Sequence, residues 1–173
     1  MRHRWPSCGS TSSDSCTRSL PVRCGRVRRT AYCRSGGNLL VSGAYIGSDM
    51  NDSQGNREFT QNVLKYRFGN SLQTSGGQIG IQGLGRSLSI PRLPNEQAYP
   101  VTAPDCILPM ATAFPVMTYT DGNQPAAIAY KGNDYRTFVM SFPFESIREE
   151  ANRTAVMASI LHFFTADNTG MNR

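Results

Sequence analysis

The chain has 173 residues, of which 39% are apolar, 9% aromatic and 17% charged. That is the length of one domain, too aromatic for a wholly disordered chain, and it has no run of about 18 apolar residues that would cross a membrane. The net charge of +6 suggests nucleic acid only until it is divided: residues 1–34 hold eight arginines against one aspartate, while residues 35–173 hold ten basic against eleven acidic residues.

The first 34 residues differ in texture from the rest. They contain four of the five cysteines (Cys8, Cys16, Cys24, Cys33), the single tryptophan and no lysine. Neither the strand nor the helix period of apolar residues is present. Arg- and Ser-rich, acid-poor heads resemble organelle transit peptides, but no apolar stretch of about 7–15 residues follows to make a bacterial secretory signal. The cysteines stand 8, 8 and 9 residues apart, without the close pairs that zinc modules use. Arg2, Arg4, Arg26, Arg28 and Arg29 could neutralise phosphates, but the aromatic residues that stack bases are nearly absent. Arg, Ser, Cys, Gly and Pro also rise together when GC-rich DNA is read in a shifted frame. The sequence therefore reads residues 1–34 as a non-native or disordered basic head, residues 35–165 as the folded unit and residues 166–173 as a polar tail.

In the body, Gly36-Gly37 signals a turn, and Asn38 to Gly43 reads as a short buried strand bounded by glycines. A polar loop follows, then a helix from about Arg57 to Phe68, with Phe59 and Val63 on one side and Gly69 as its stop. This order begins a βαβ unit. Gln78 to Gln82 alternates like a strand. Ser87 to Pro109 carries five prolines and reads as a long surface excursion with short strands. Three strands follow at Pro115–Thr120, Ala126–Tyr130 and Tyr135–Phe142, joined by Asp121-Gly122 and Gly132-Asn133, both hairpin signals. The last is apolar on both faces and so is expected to be central. Ser146 to Glu149 matches a capping box. It opens a helix whose stripe is Ile147, Ala151, Ala155, Ile160, Leu161 and Phe164, ending near Thr165.

The chemistry on offer is sparse. Gly43-Ala-Tyr-Ile-Gly47 has the spacing of a nucleophile elbow after a strand, but its central residue is Tyr45, and no histidine lies in the loops to activate a hydroxyl. Cys106 has apolar flanks and no basic neighbour, the setting of a structural thiol. Ser48 and Asp49, with Asp52, could meet a cation or a sugar hydroxyl at the carboxyl end of the strand, where open α/β sheets place ligands. Asp49 suits a turn cap equally well. The glycines from Gly76 to Gly85 match neither a dinucleotide fingerprint nor a P-loop. The candidate ligand loop is therefore Ser42, Tyr45, Ser48 and Asp49, with no catalytic residue, cofactor site or metal site expected.

The segments Gly36–Asp49 and Ala127–Phe144, with the helix ending Ser159-Ile-Leu-His-Phe-Phe164, resemble the elbow strand, late hairpin and last helix of the class I glutamine-amidotransferase-like superfamily. More narrowly, residues 31–165 are similar to the C-terminal part of large secreted Bacteroidota proteins of the xanthan-lyase-like or golvesin-domain type. The resemblance implies an α/β fold: an incomplete flavodoxin-like three-layer sandwich with a mixed sheet and a C-terminal helix. It also implies an extracellular or periplasmic parent protein that handles glycans. The sequence departs from catalytic members at Tyr45, which stands where they carry a cysteine, and in lacking their downstream His-x-Glu pair. The resemblance thus implies a catalytically silent accessory or scaffolding module, contacting a glycan or neighbouring domains; the charge split and the lack of a long apolar run argue against a nucleic-acid or membrane partner. The alternative is a piece of a lyase or cell-wall hydrolase whose catalytic residues lie mainly elsewhere.

Overall fold

A helix in the assigned head leads into the sheet without a break. In the computed structural model, which describes residues 20–94 and 99–166, helix α1 spans Leu20–Arg34. Its end is a glycine cap: the Gly37 N–H donates to the Tyr32 carbonyl (3.0 Å) and the Gly36 N–H to the Cys33 carbonyl (2.9 Å), with Gly36 at φ +91°. This six-to-one and five-to-two pair needs a left-handed residue, which glycine supplies. Cys33 is fully buried, packed in one cluster with Phe59, Val63, Leu64, Tyr66 and Ile107. The last turn of α1 therefore belongs to the core, and the boundary drawn at residue 34 cuts through one capping motif. The rest of the head, residues 1–19, and residues 167–173 of the tail lie outside the described residues.

The order continues with β1 (Leu39–Ser42), α2 (Ile46–Asp49), α3 (Gln54–Phe59), β2 (Tyr66–Ser71), β3 (Gln78–Gly83), β4 (Arg86–Pro91), β5 (Asp105–Pro109), β6 (Phe114–Tyr119), β7 (Pro125–Lys131), β8 (Arg136–Met140) and α4 (Glu150–Thr165). Six strands form one mixed sheet in the order β1-β8-β7-β6-β3-β4, and β2 pairs with β5 in a second, two-stranded sheet. The β1–β8 pair is parallel and the other pairs are antiparallel. One face of the large sheet packs with α1, α3 and β2 through Ile128 and Val139; the other packs with α4 through Ala127, Phe138 and Met140. The fold is α/β with cover on both faces of a mixed sheet and a C-terminal helix, as expected. The three late strands and their two hairpins also form as read, and all five residues of β8 are buried. Among the described residues, no helix is long and apolar enough to cross a membrane.

Three elements differ from the sequence reading. The helix expected to reach Phe68 starts at Gln54, with the Ser53 hydroxyl accepting from the Asn56 N–H (3.3 Å), and widens into a π-turn over Thr60–Leu64. Lys65, at φ +62°, then ends it, and Tyr66–Ser71 is a strand rather than the last turn and glycine stop. The excursion from Ser87, expected at the surface with short strands, contains β4, whose Leu88, Ile90 and Pro91 are buried and which is folded back on β3 by Leu84 (φ +51°) and Gly85 (φ +68°). Two left-handed residues make the tight hairpin turn that matches strand twist. The C-terminal helix begins at Glu150, and Ser146 lies in a separate 3₁₀ turn, Phe144–Ser146, so the expected capping box does not form. Helix α4 turns Val156 and Ile160 fully inward, and Leu161 lies exposed. Its C-terminal end is held by Arg136, whose guanidinium donates to the carbonyls of Phe163 and Ala166.

Candidate functional site

The candidate loop follows β1 directly. The Gly43 N–H continues the ladder to the Met140 carbonyl (3.2 Å), Ala44 is buried, and Tyr45 begins the short helix α2. Tyr45 has φ −118° and ψ 23°. That is bridge-region backbone at the N-cap of α2, with a negative φ. The spacing Gly43 to Gly47 has a packing cause at its second glycine: a Cβ on Gly47 would stand 2.8 Å from Phe68 Cδ2 and 3.1 Å from Asp105 Oδ2. The elbow spacing thus reflects a close approach of α2 to β2 and β5.

Asp105, which the sequence did not single out, organises this approach. It is fully buried at the start of β5. Its Oδ2 accepts from the Ser48 N–H (2.7 Å) and the Ser48 hydroxyl (2.9 Å), and its Oδ1 accepts from the Ser71 hydroxyl (3.4 Å). Its own N–H donates to the Ala44 carbonyl (2.8 Å). A buried carboxylate must be hydrogen-bonded, and this one is satisfied by tying α2, β2 and the loop together. Burial, together with the negative charge of Asp105, pushes the neighbouring Cys106 thiol up to about 11. The thiol therefore stays protonated near neutral pH, the state of a structural cysteine. Below it, the Tyr119 hydroxyl sits 3.0 Å from the Ser141 carbonyl and hydroxyl oxygens, and burial raises its pKa strongly.

The four expected loop residues divide. Tyr45 and Ser48 come together: the Ser48 hydroxyl lies 3.3 Å from the Tyr45 carbonyl. Tyr45 is 37% exposed, and its hydroxyl pairs with Thr102 Oγ1 at 3.0 Å. Thr102 belongs to the proline-rich excursion, so these two expected contact regions meet here. Arg92 braces the same spot, its Nε donating to the Thr102 carbonyl (3.1 Å). Ser42 turns away, its hydroxyl accepting from the Phe144 N–H (3.0 Å). Asp49 is exposed, and its N–H closes the α2 turn on the Tyr45 carbonyl (2.9 Å). Asp52 also stays at the surface, where the Asn56 side-chain amide, by hydrogen bonding, lowers its pKa below the usual carboxylate value.

His162 lies exposed on α4, and no group of three or more metal-ligating side chains gathers among the described residues. A separate groove of about 1050 Å³ runs between α1 and α3, lined by Val27, Ala31, Phe59 and Val63 with Arg26 and Arg34; none of the four loop residues lines it.

No family model matches the sequence, and no curated protein matches it at a significant level. Solved structures do share its fold. The chain is similar to Gan42B, a GH42 β-galactosidase from G. stearothermophilus, with a TM-score of 0.55 and 11% identity over 82% of this chain and 19% of that one. It is similar to the β-galactosidase of Bacillus circulans sp. alkalophilus, with a TM-score of 0.51 and 14% identity over 80% of this chain and 20% of that one. It is equally similar to the mmIFT52 N-terminal domain, with a TM-score of 0.55 and 13% identity over 84% of this chain and 72% of that one. At these identities the likeness is one of fold, and the chain spans about a fifth of the β-galactosidases it matches.

Proposed function

We propose that this fold is a non-catalytic accessory or scaffolding module of a larger, secreted glycan-handling protein, amidotransferase-like in descent, with its contact surface at Tyr45 and Thr102. The observation that carries the proposal is the state of the turn after β1. The position that would hold a nucleophile holds a tyrosine, and the one buried carboxylate beside it accepts from Ser48 and Ser71. A base or nucleophile needs a free lone pair aimed at a substrate. Asp105 is buried, and the three hydrogen bonds that its carboxylate accepts hold the loop.

The solved β-galactosidases support the glycan half of the proposal, since in them a similar fold makes up a fifth of a longer chain. Tyr45 offers an amphipathic ring, apolar in body and polar at its tip, on an exposed surface where the loop and the proline-rich segment touch through side chains. The test is an NMR titration of the chain with β-galacto-oligosaccharides and xanthan fragments, beside a turnover assay on the same sugars. The expected result is shifts at Tyr45 and Thr102 that weaken at least fivefold in Tyr45→Ala, with no turnover. Turnover by the chain that Tyr45→Phe or Asp49→Asn abolishes contradicts the proposal.

A further inference from the structure

We infer that the free edge of β1 is a self-pairing surface, on which a second copy of this chain docks its own β1 antiparallel across a twofold axis. The argument begins with the direction of the backbone groups. The Gly43 N–H donates to Met140, and β1 runs parallel to β8 in the register Leu39↔Thr137 to Ser42↔Met140. Main-chain groups alternate sides along a strand, so Leu39, Val41 and Gly43 face β8. Leu40 and Ser42 then turn their N–H and C=O groups outward, where no hydrogen-bond partner meets them among the described residues.

The residue types are those of an interior strand. Leu39 and Val41 pack on one face of the sheet and Leu40 on the other, yet all four β1 residues are only half-buried. A strand apolar on both faces is normal inside a parallel ladder and unusual at an edge. Edge strands ordinarily carry a lysine, a proline or a bulge that blocks further pairing. Leu39-Leu-Val-Ser42 has none of these, and its register with β8 is unbroken.

The occupant that fits is a short uncharged strand, apolar on both faces, and β1 itself has that chemistry. Antiparallel pairing about Val41 sets Leu40 opposite Ser42 of the other copy and Ser42 opposite its Leu40. The outward groups of both residues then pair reciprocally, which is the isologous contact a twofold demands. Asn38 to Ala44 carries no charge, so the axis brings no like charges together. The result would be a continuous twelve-stranded sheet.

Sedimentation velocity of the full 173-residue chain between about 1 and about 100 µM, the range where weak self-association is visible, tests the inference. A reversible monomer–dimer equilibrium is expected. Leu40→Pro removes an outward N–H and leaves the β8 ladder intact, so the folded variant, checked by circular dichroism, should stay monomeric throughout. Should that variant fail to fold, the acetylated and amidated heptapeptide Asn-Leu-Leu-Val-Ser-Gly-Ala added to the wild-type chain decides: it should convert dimer to monomer. A wild-type chain monomeric across the range, a dimer that persists in folded Leu40→Pro, or a dimer that the peptide leaves intact overturns the inference. So does a monomer that pairs only with an unrelated apolar strand peptide.

Discussion

The two edges of the six-stranded sheet are finished differently. At the β4 edge, the outward carbonyls of Ser89 and Pro91 accept from the N–H groups of Arg148 (3.3 Å) and Val101 (2.9 Å), and Ile90 is fully buried. The strand begins with Arg86 and ends with Pro91, both of which resist further pairing. At the β1 edge, Leu40 and Ser42 face outward without such partners among the described residues, and no charge or proline interrupts the strand. Among the described residues, the chain's own loops complete one edge and leave the other open. A fold that also occurs as a fifth of much longer chains can carry such an edge when another strand covers it.

Paired substitutions break the comparison most strongly. Ile90→Ala on the closed edge should cost about 2–5 kcal/mol of unfolding free energy, as large-to-small changes in a packed core do. Leu40→Ala on the open edge should cost less than half as much in the monomer, because its side chain is already partly in water. Urea denaturation at low protein concentration measures both, and equal costs would mean that β1 is as enclosed as β4.

Asp105→Asn sharpens the closed side. The amide keeps one acceptor but turns an NH₂ toward Ser48 or Ser71, at a cost of about 1–3 kcal/mol. The melting temperature should fall while the β1-dependent dimer keeps its affinity. An unchanged melting temperature would remove Asp105 from its role in holding α2.

The smallest effect is alkaline. In the unfolded chain the Cys106 thiol ionises near its ordinary 9.0, and in the fold near 11. Between those values the folded state binds more protons than the unfolded one, so stability falls as pH rises from about 9 to about 11 and is unaffected by this group below 9. Burial also raises Tyr66, Tyr119 and Tyr135, which adds to the fall at the alkaline end. Cys106→Ala should shorten the drop in melting temperature between pH 8.5 and pH 10.5, a window chosen to bracket the start of that titration.

Local signals made part of this molecule legible in its sequence. Strands β6 to β8 announce themselves because Asp121-Gly122 and Gly132-Asn133 are turn chemistry in their own right. Strand β2 hides because Phe59 and Val63 carry a helical period that runs on toward Tyr66, and the break falls at Lys65, an atypical left-handed residue. The hairpin that joins β3 to β4 hides behind Leu84, which occupies a turn position usually held by Asn or Gly. In α1, the buried anchor Cys33 sits in an arginine-rich stretch without amphipathic period. At the candidate site, Tyr45 and Ser48 were legible from the strand and its glycines. Asp105 was not, because its partner Ser48 is 57 residues away and only the fold joins them.

Amide hydrogen exchange read residue by residue, at low and high protein concentration, tests the central contrast most directly. The amides of Leu39 and Val41 should be protected at both concentrations by β8, as should those of Arg148 and Val101 at the closed edge. Those of Leu40 and Ser42 should exchange freely when dilute and slow at least tenfold when concentrated. Leu40 and Ser42 amides already protected in the dilute chain, or unprotected at every concentration, would contradict the account of an open, self-pairing edge.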